Sequence, residues 1–152
     1  MNAPAAIVSS PRLENYPHRM QDNVRFADID ANGHVNNAVY ATYFEAGRVT
    51  LTKDRSIGLT PEGLSWVMVR LDIHFRAELH WPAVIELGLG ITRIGRTSLG
   101  FEQAVFSEGK CIASAQAVTV LVDQLSRKPT PITPAISTKL QPWMMREASA
   151  HS

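Results

Sequence analysis

One long helical pattern, followed almost entirely by strand-like segments, constrains this chain more than any other feature. Between Asn36 and Arg55, Tyr40, Phe44, Gly47 and Leu51 fall at i, i+4, i+7 and i+11, and Val39, Tyr43, Ala46 and Thr50 form an adjacent stripe. Apolar positions cover more than half of the circumference, which predicts a helix that is largely enclosed, with Asn36 or Asn37 as its N-cap. Downstream the period changes to two. Val69, Leu71, Ile73, Phe75, Ala77 and Leu79 alternate with polar residues, and Ile85, Leu87, Leu89 and Ile91 repeat the pattern. Thr97 to Phe106 and Lys110 to Val122 then face each other across Ser107-Glu108-Gly109, a connection suited to a tight hairpin. A shorter strand containing Val24 and Phe26 is predicted ahead of the helix. About five strands, mostly consecutive, predict antiparallel pairing. The fold class is therefore α+β, with a curved antiparallel sheet wrapped around one long central helix.

The 152 residues suffice for one domain, and the 45% hydrophobic content is ordinary for a packed one. Residues 1–17 and 141–152 carry little periodic pattern and are expected to be loose, which leaves 18–140 as the domain. A formal charge of +1 offers no electrostatic case for nucleic acid or an anionic membrane surface. The single cysteine, Cys111, excludes an intrachain disulfide and a multi-cysteine metal site, and suits a reducing compartment. It lies in an alternating run, where a buried structural thiol is the ordinary expectation. Met1 to Pro11 lacks a basic, then apolar, leader pattern, and no segment approaches the ~20 apolar residues of a membrane span. The expectation is a soluble, cytoplasmic protein.

Reactive side chains concentrate in Asp28-Ile-Asp-Ala-Asn-Gly-His-Val-Asn-Asn37. Asp, Asn and Gly are common turn formers, so a capped loop is the simplest reading. Turn chemistry alone calls for neither His34 nor a second carboxylate. Asp28-x-Asp30-x-Asn32-Gly33 reproduces the opening of a calcium loop, but the twelfth position is Val39 instead of Glu, and a strand precedes it. Asp30 and His34 offer ligands to a metal, yet no second histidine stands at His-x-His or His-Glu-x-x-His spacing. His18, His74, His80 and His151 read as isolated, and no metal is assigned.

A catalytic reading uses more of the segment. Asp30 precedes a predicted helix start, where unpaired N–H groups and the helix dipole favour an anion, which suits a nucleophile or base. The same N–H groups are candidate donors to the oxyanion of a carbonyl under attack. Asn32 has the groups to orient a carbonyl or water, and His34 to donate or shuttle a proton.

The stretch from Val24-Arg-Phe-Ala-Asp-Ile-Asp to Glu45-Ala-Gly-Arg48 resembles the N-terminal signature of hotdog-fold thioesterases of the 4-hydroxybenzoyl-CoA thioesterase type. Its Asn-Gly-His-Val-Asn-Asn portion is also similar to plant acyl-ACP thioesterases. Ile73-His-Phe-Arg-Ala-Glu-Leu79, Ile94-Gly-Arg-Thr-Ser98 and Val122-Asp-Gln-Leu-Ser-Arg-Lys-Pro-Thr-Pro-Ile132 follow in the family's order, so the resemblance spans about 18 to 135.

That resemblance implies hydrolysis of an acyl-CoA or acyl-carrier-protein thioester without a cofactor, by a homodimer or dimer of dimers. Asp30 falls on the family's catalytic aspartate, and Asn32 and His34 on polar residues implicated in the plant branch. Asp28 reads as a turn cap. Candidate substrate and CoA contacts are Asn37, Arg76, Arg96 and Ser98, with Lys128 weaker and Glu45 a minor catalytic candidate. Glu45 and Arg48 are expected to pair on the helix surface. Two other readings remain open: a non-catalytic acyl-CoA or acyl-carrier binding module, and a hotdog dehydratase or hydratase.

Overall fold

The computed structural model describes residues 10–146. Its elements are β1 (His18–Asn23), α1 (Val39–Thr52), β2 (Leu64–Phe75), β3 (Val84–Ile94), β4 (Ser98–Ser107), β5 (Lys110–Asp123) and α2 (Pro134–Leu140). The five strands form one antiparallel sheet in the order β1-β3-β4-β5-β2. Strands β3, β4 and β5 are joined in sequence. The chain must cross from one sheet edge to the other between β1 and β2, and α1 makes that crossing while packing on β3, β4 and β1. Together these features are the hotdog architecture.

The helix buries Tyr40, Tyr43, Phe44, Gly47, Arg48, Leu51 and Thr52, spaced at three and four residues along one face. Within the single chain it is covered on that face only, whereas the width of its apolar pattern led to an expectation of near-complete enclosure. Val49 is 42% exposed on the uncovered side. Its N-terminal half, with Tyr40, Tyr43 and Phe44, packs against Ile85, Leu87, Val105 and Ala113. The other half brings Leu51 against Leu89, Ile91, Leu99 and Phe101.

Several boundaries differ from the expected ones. The first strand ends before Val24, because Arg25 and Asp28 close a capped 3-10 turn at Phe26–Asp28. Phe26 is exposed there, and Val24 is buried beyond the strand end. In β2 the alternation changes phase at a bulge between Met68 and Arg70, so Trp66 and Met68 face the core before it and Leu71 and Ile73 after it. Val69, counted among the buried positions, is the extra residue and stands 60% exposed. Ala77 and Leu79 lie past the strand, in the β2–β3 connection.

The β4–β5 hairpin closes as expected, with Glu108 and Gly109 both at positive φ (51° and 76°), as a two-residue turn of matching twist requires. Helix α2 has a sequence signal that the periodicity did not reveal: Thr133 caps the Ile136 N–H and Pro134 occupies the first turn. It buries Ile136 and Leu140 against the sheet. On the opposite sheet face, Tyr16 packs over Phe106 and Cys111, within the stretch assigned to the loose N-terminal segment.

Candidate active site

The segment from Asp28 to Asn37 forms a short hairpin-like excursion held at four points. Ile29 and Val35 form a bridge, the Asp30 N–H donates to the His34 carbonyl at 2.9 Å, and the Gly33 N–H returns to the Asp30 carbonyl at 3.1 Å. Gly33 sits at φ +81°, in the left-handed region that glycine adopts without cost. The Val35 N–H donates to the Leu79 carbonyl at 2.8 Å and ties the excursion to the β2–β3 connection.

Asp28 anchors its base. The side chain is buried and accepts from the Arg25 N–H at 2.9 Å, the Arg25 guanidinium at 3.0 Å and the Tyr43 hydroxyl at 2.7 Å. Burial on its own pushes the carboxyl up, but the hydrogen bonds and the Arg25 charge outweigh it and hold the group below the usual carboxylate range. This is the turn-capping role read from the sequence.

Asp30 is differently placed. It is partly exposed, and among the described residues its Oδ1 accepts only the local Asn32 N–H, at 2.8 Å. Helix α1 begins at Val39, somewhat later than expected, and its N-cap is Ala38, neither of the two asparagines; Asn36 lies two residues earlier, and its Oδ1 accepts the Ala38 N–H at 2.9 Å in a turn that precedes the helix. Among the described residues, no hydrogen bond is made by the Asn37 N–H.

A cleft of ≈ 370 Å³ opens at this point, lined by Asp30, Asn32, His34, Asn37 and Arg76, with Tyr40, Phe75 and Leu79 as its apolar wall. Five of the seven proposed site residues therefore meet in one place. Arg76 contributes to the wall, but its Nε donates to Ser114 Oγ at 3.0 Å. Ser114 alternates with Ala113 and Ala115, which face α1, so the guanidinium is drawn toward the opposite sheet face.

Arg96 and Ser98 are not part of this group. Ser98 pairs with Val120 on β5, whereas Phe75, beside Arg76, pairs with Ala113. At about 3.3 Å per residue, these positions are roughly 23 Å apart along the strand. There Ser98 Oγ faces the Arg93 guanidinium at 3.4 Å, and the Arg96 carbonyl accepts from the Ile132 N–H at 2.8 Å. Lys128 is exposed in the loop after β5. Glu45 is exposed on α1, and the expected pair with Arg48 does not form. Arg48 turns inward and donates to Gln103 Oε1 at 2.8 Å, while Gln103 Nε2 donates to the Phe44 carbonyl at 2.8 Å.

One pair of site neighbours escaped the sequence reading. His80, read as isolated, stacks edge-on against His34 with ring centroids 5.2 Å apart, and Glu78 Oε2 lies 3.4 Å from His34 Nε2 and 3.6 Å from His80 Nε2. No local spacing signals this, because His80 reaches His34 through long-range contacts, of Val35 with Leu79 and of His80 itself with Gly33. Of the other histidines, His74 is exposed on β2 and His18 Nε2 lies 2.8 Å from Thr50 Oγ1. His151 is outside the described residues.

The hotdog sheet and its central helix place the chain in the thioesterase-like class. The model of the thioesterase-like superfamily matches residues 24–140, and the chain belongs to that superfamily. It is 26% identical over 117 residues to the acyl-CoA thioester hydrolase YbgC of Escherichia coli, an alignment covering 74% of this chain and 87% of that protein. The crystal structure of PA5185 from Pseudomonas aeruginosa superposes with a TM-score of 0.81 at 29% identity, covering 90% of this chain and 97% of the other. A Thermus thermophilus thioesterase complexed with coenzyme A and Zn gives a TM-score of 0.74 at 27% identity, with 84% and 94% covered. Among the described residues, no helix is long and apolar enough to cross a membrane.

Proposed function

We propose that the chain hydrolyses an acyl-CoA thioester, or the same thioester on an acyl carrier protein, in the cleft beside Asp30. The observation that carries this reading is the shared lining of the cleft. An accessible carboxylate with one local hydrogen bond faces the same space as Asn37, whose N–H is unpartnered among the described residues at the start of α1. A base or nucleophile and an oxyanion donor are the two elements acyl transfer needs. The acyl-CoA hydrolase relative and the relative solved with coenzyme A favour this substrate class.

In the first form of the mechanism, Asp30 accepts a proton as water adds to the thioester carbonyl. The Asn37 N–H and the helix start stabilise the oxyanion, and collapse expels the CoA thiolate. His34 donates to the substrate oxygen or carries the proton to the leaving sulfur, and Asn32 orients the carbonyl. In the second form, the Asp30 carboxylate attacks the carbonyl and releases the thiolate, and water then hydrolyses the mixed anhydride. A single turnover in ¹⁸O water tests the second form: label enters the Asp30 carboxylate when water attacks the aspartyl carbonyl of the anhydride, and trapping the anhydride with hydroxylamine detects the second form when water attacks the acyl carbonyl instead.

Asp30→Asn preserves an acceptor for the Asn32 N–H, so the loop is retained while the base is lost. Hydrolysis across a panel of aliphatic and aromatic acyl-CoAs is expected to fall by about 10²–10⁴-fold. A loss under threefold, with unchanged circular dichroism, excludes Asp30 from the chemistry. Saturable acyl-CoA binding without turnover across the panel instead makes the chain a binding module. Self-association is part of the reading, supported by the exposed apolar residues on edge strand β2. A cytoplasmic location fits the lone thiol and a CoA-linked substrate.

A further inference from the structure

We propose that His34, Glu78 and His80 form a binding site for a zinc-class divalent cation at the rim of the cleft, and that occupancy inhibits hydrolysis. Two imidazoles and one carboxylate are a ligand set suited to zinc with an open fourth position. Their ligating atoms all lie within 4.8 Å of one another. In tetrahedral coordination at about 2.0–2.1 Å, ligand atoms stand roughly 3.3–3.4 Å apart. The 3.4 Å and 3.6 Å separations of the two Nε2 atoms from Glu78 Oε2 are already close to that arrangement.

The hydrogen bonding of His80 is the second, independent observation. Its Nδ1 lies 3.2 Å from the Gly33 carbonyl, which only accepts, so Nδ1 carries the proton. Its Nε2 is thereby left facing Glu78 Oε2 at 3.6 Å, a pairing that a proton or a divalent cation held between the two atoms satisfies. A backbone carbonyl that fixes the tautomer and orientation of a ligating imidazole is the usual support of a metal site. The backbone is also held: Val35 N–H to Leu79 O, at 2.8 Å, fixes the hairpin bearing His34 beside the connection bearing Glu78 and His80. All three side chains are solvent-accessible, at 36%, 65% and 58%, so an ion enters without rearrangement of the core.

Occupancy ties the Asp30 loop to the β2–β3 connection and takes up the His34 lone pair needed for proton traffic. Inhibition rests on the hydrolase reading above, whereas the binding site does not. Cobalt(II) is the probe that separates them. Titration of the metal-free protein at neutral pH is expected to give a saturable visible absorption of tetrahedral or five-coordinate cobalt, displaced by one equivalent of zinc. His80→Ala and Glu78→Gln are expected to weaken cobalt binding at least tenfold. His80→Ala, outside the cleft lining, is expected to keep basal hydrolysis within about threefold, and both variants are expected to require at least tenfold more zinc for half-inhibition. Equal cobalt affinity in wild type and both variants, or an octahedral spectrum throughout, overturns the site. A variant-sensitive cobalt signal without zinc inhibition overturns the regulatory half. A cobalt signal in a protein with no thioester hydrolysis leaves the site standing and removes the enzymatic reading.

Discussion

The Tyr43 hydroxyl donates to Asp28 Oδ2 at 2.7 Å, and both side chains are buried. This bond joins the central helix to the base of the loop that presents Asp30. Burial, then the neighbouring Asp28 charge and hydrogen bond, push the Tyr43 hydroxyl up, so it remains a donor throughout the working pH range. Tyr43→Phe removes one hydrogen bond to a charged acceptor, worth about 1.5–3 kcal/mol. Urea unfolding at neutral pH is expected to register that loss, and kcat to fall as the loop loses its anchor.

Asp28 also imposes an acid sensitivity whose sign follows from its lowered pKa. Its contribution is fully present above the unfolded carboxyl value, about 3.9, and is lost as pH falls through the lower value of the folded protein. The unfolding free energy of the wild type is therefore expected to drop more steeply below about pH 4 than that of Asp28→Asn. Parallel slopes from pH 6 to pH 2.5 count against the anchoring role.

Gly33 isolates a backbone effect. It adopts φ +81°, and an added Cβ meets nothing within 4 Å, so substitution introduces conformational strain without collision. Gly33→Ala is expected to cost about 1–2 kcal/mol, and Gly33→Asn less, because Asn visits the left-handed region more readily. The same order, Gly above Asn above Ala, is expected in kcat, since the turn carries Asp30, Asn32 and His34. Thermal melts and initial rates on the three proteins check it.

Arg48 is a buried charge whose guanidinium is met by a neutral partner. Gly47 lets Gln103 approach closely, its missing Cβ lying 3.3 Å from Gln103 Nε2. Gln103→Leu strands the buried Arg48 guanidinium N–H, at about 1–3 kcal/mol, while the Phe44 carbonyl loses its second donor but keeps its place in the α1 hydrogen-bond ladder. Gly47→Ala is expected to disturb the same triad by pushing Gln103 away. An unfolding free energy from denaturant titration that falls by less than about 1 kcal/mol in Gln103→Leu means that water replaces the lost partner.

Strand β2 is a sheet edge with Val67, Val69 and Phe75 exposed at 41%, 60% and 51%. An apolar edge of this kind invites pairing with another strand. If a second copy covers it, Val67→Lys together with Val69→Lys is expected to shift sedimentation toward the monomer while far-UV circular dichroism is unchanged. A monomeric wild type rules out self-association through this edge.

The hairpin of β4 and β5 was legible because its information is local: alternating side chains on either side of a connection that accepts two positive φ values. The Asp30 loop was legible for a similar reason, since Asp28, Asn32 and Gly33 specify its turns within ten residues. Periodicity misled where one inserted residue reversed the faces of β2 at Val69, and where Arg48 lay inside an apolar stripe that offered it Gln103. The separation of Arg96 and Ser98 from Asp30 was equally invisible, because it depends on which end of β5 each neighbouring segment pairs with.

The sequence by itself determined the α+β class, the long helix, the consecutive antiparallel strands and the concentration of reactive groups between Asp28 and Asn37. Only the tertiary structure decided that β2 pairs at the far edge of the sheet, that the Arg76 guanidinium turns toward Ser114, and that Glu78 and His80 meet His34. Alternation and turn chemistry say which side of a segment is buried, whereas these juxtapositions depend on what that side is buried against, and strand register between distant segments sets it.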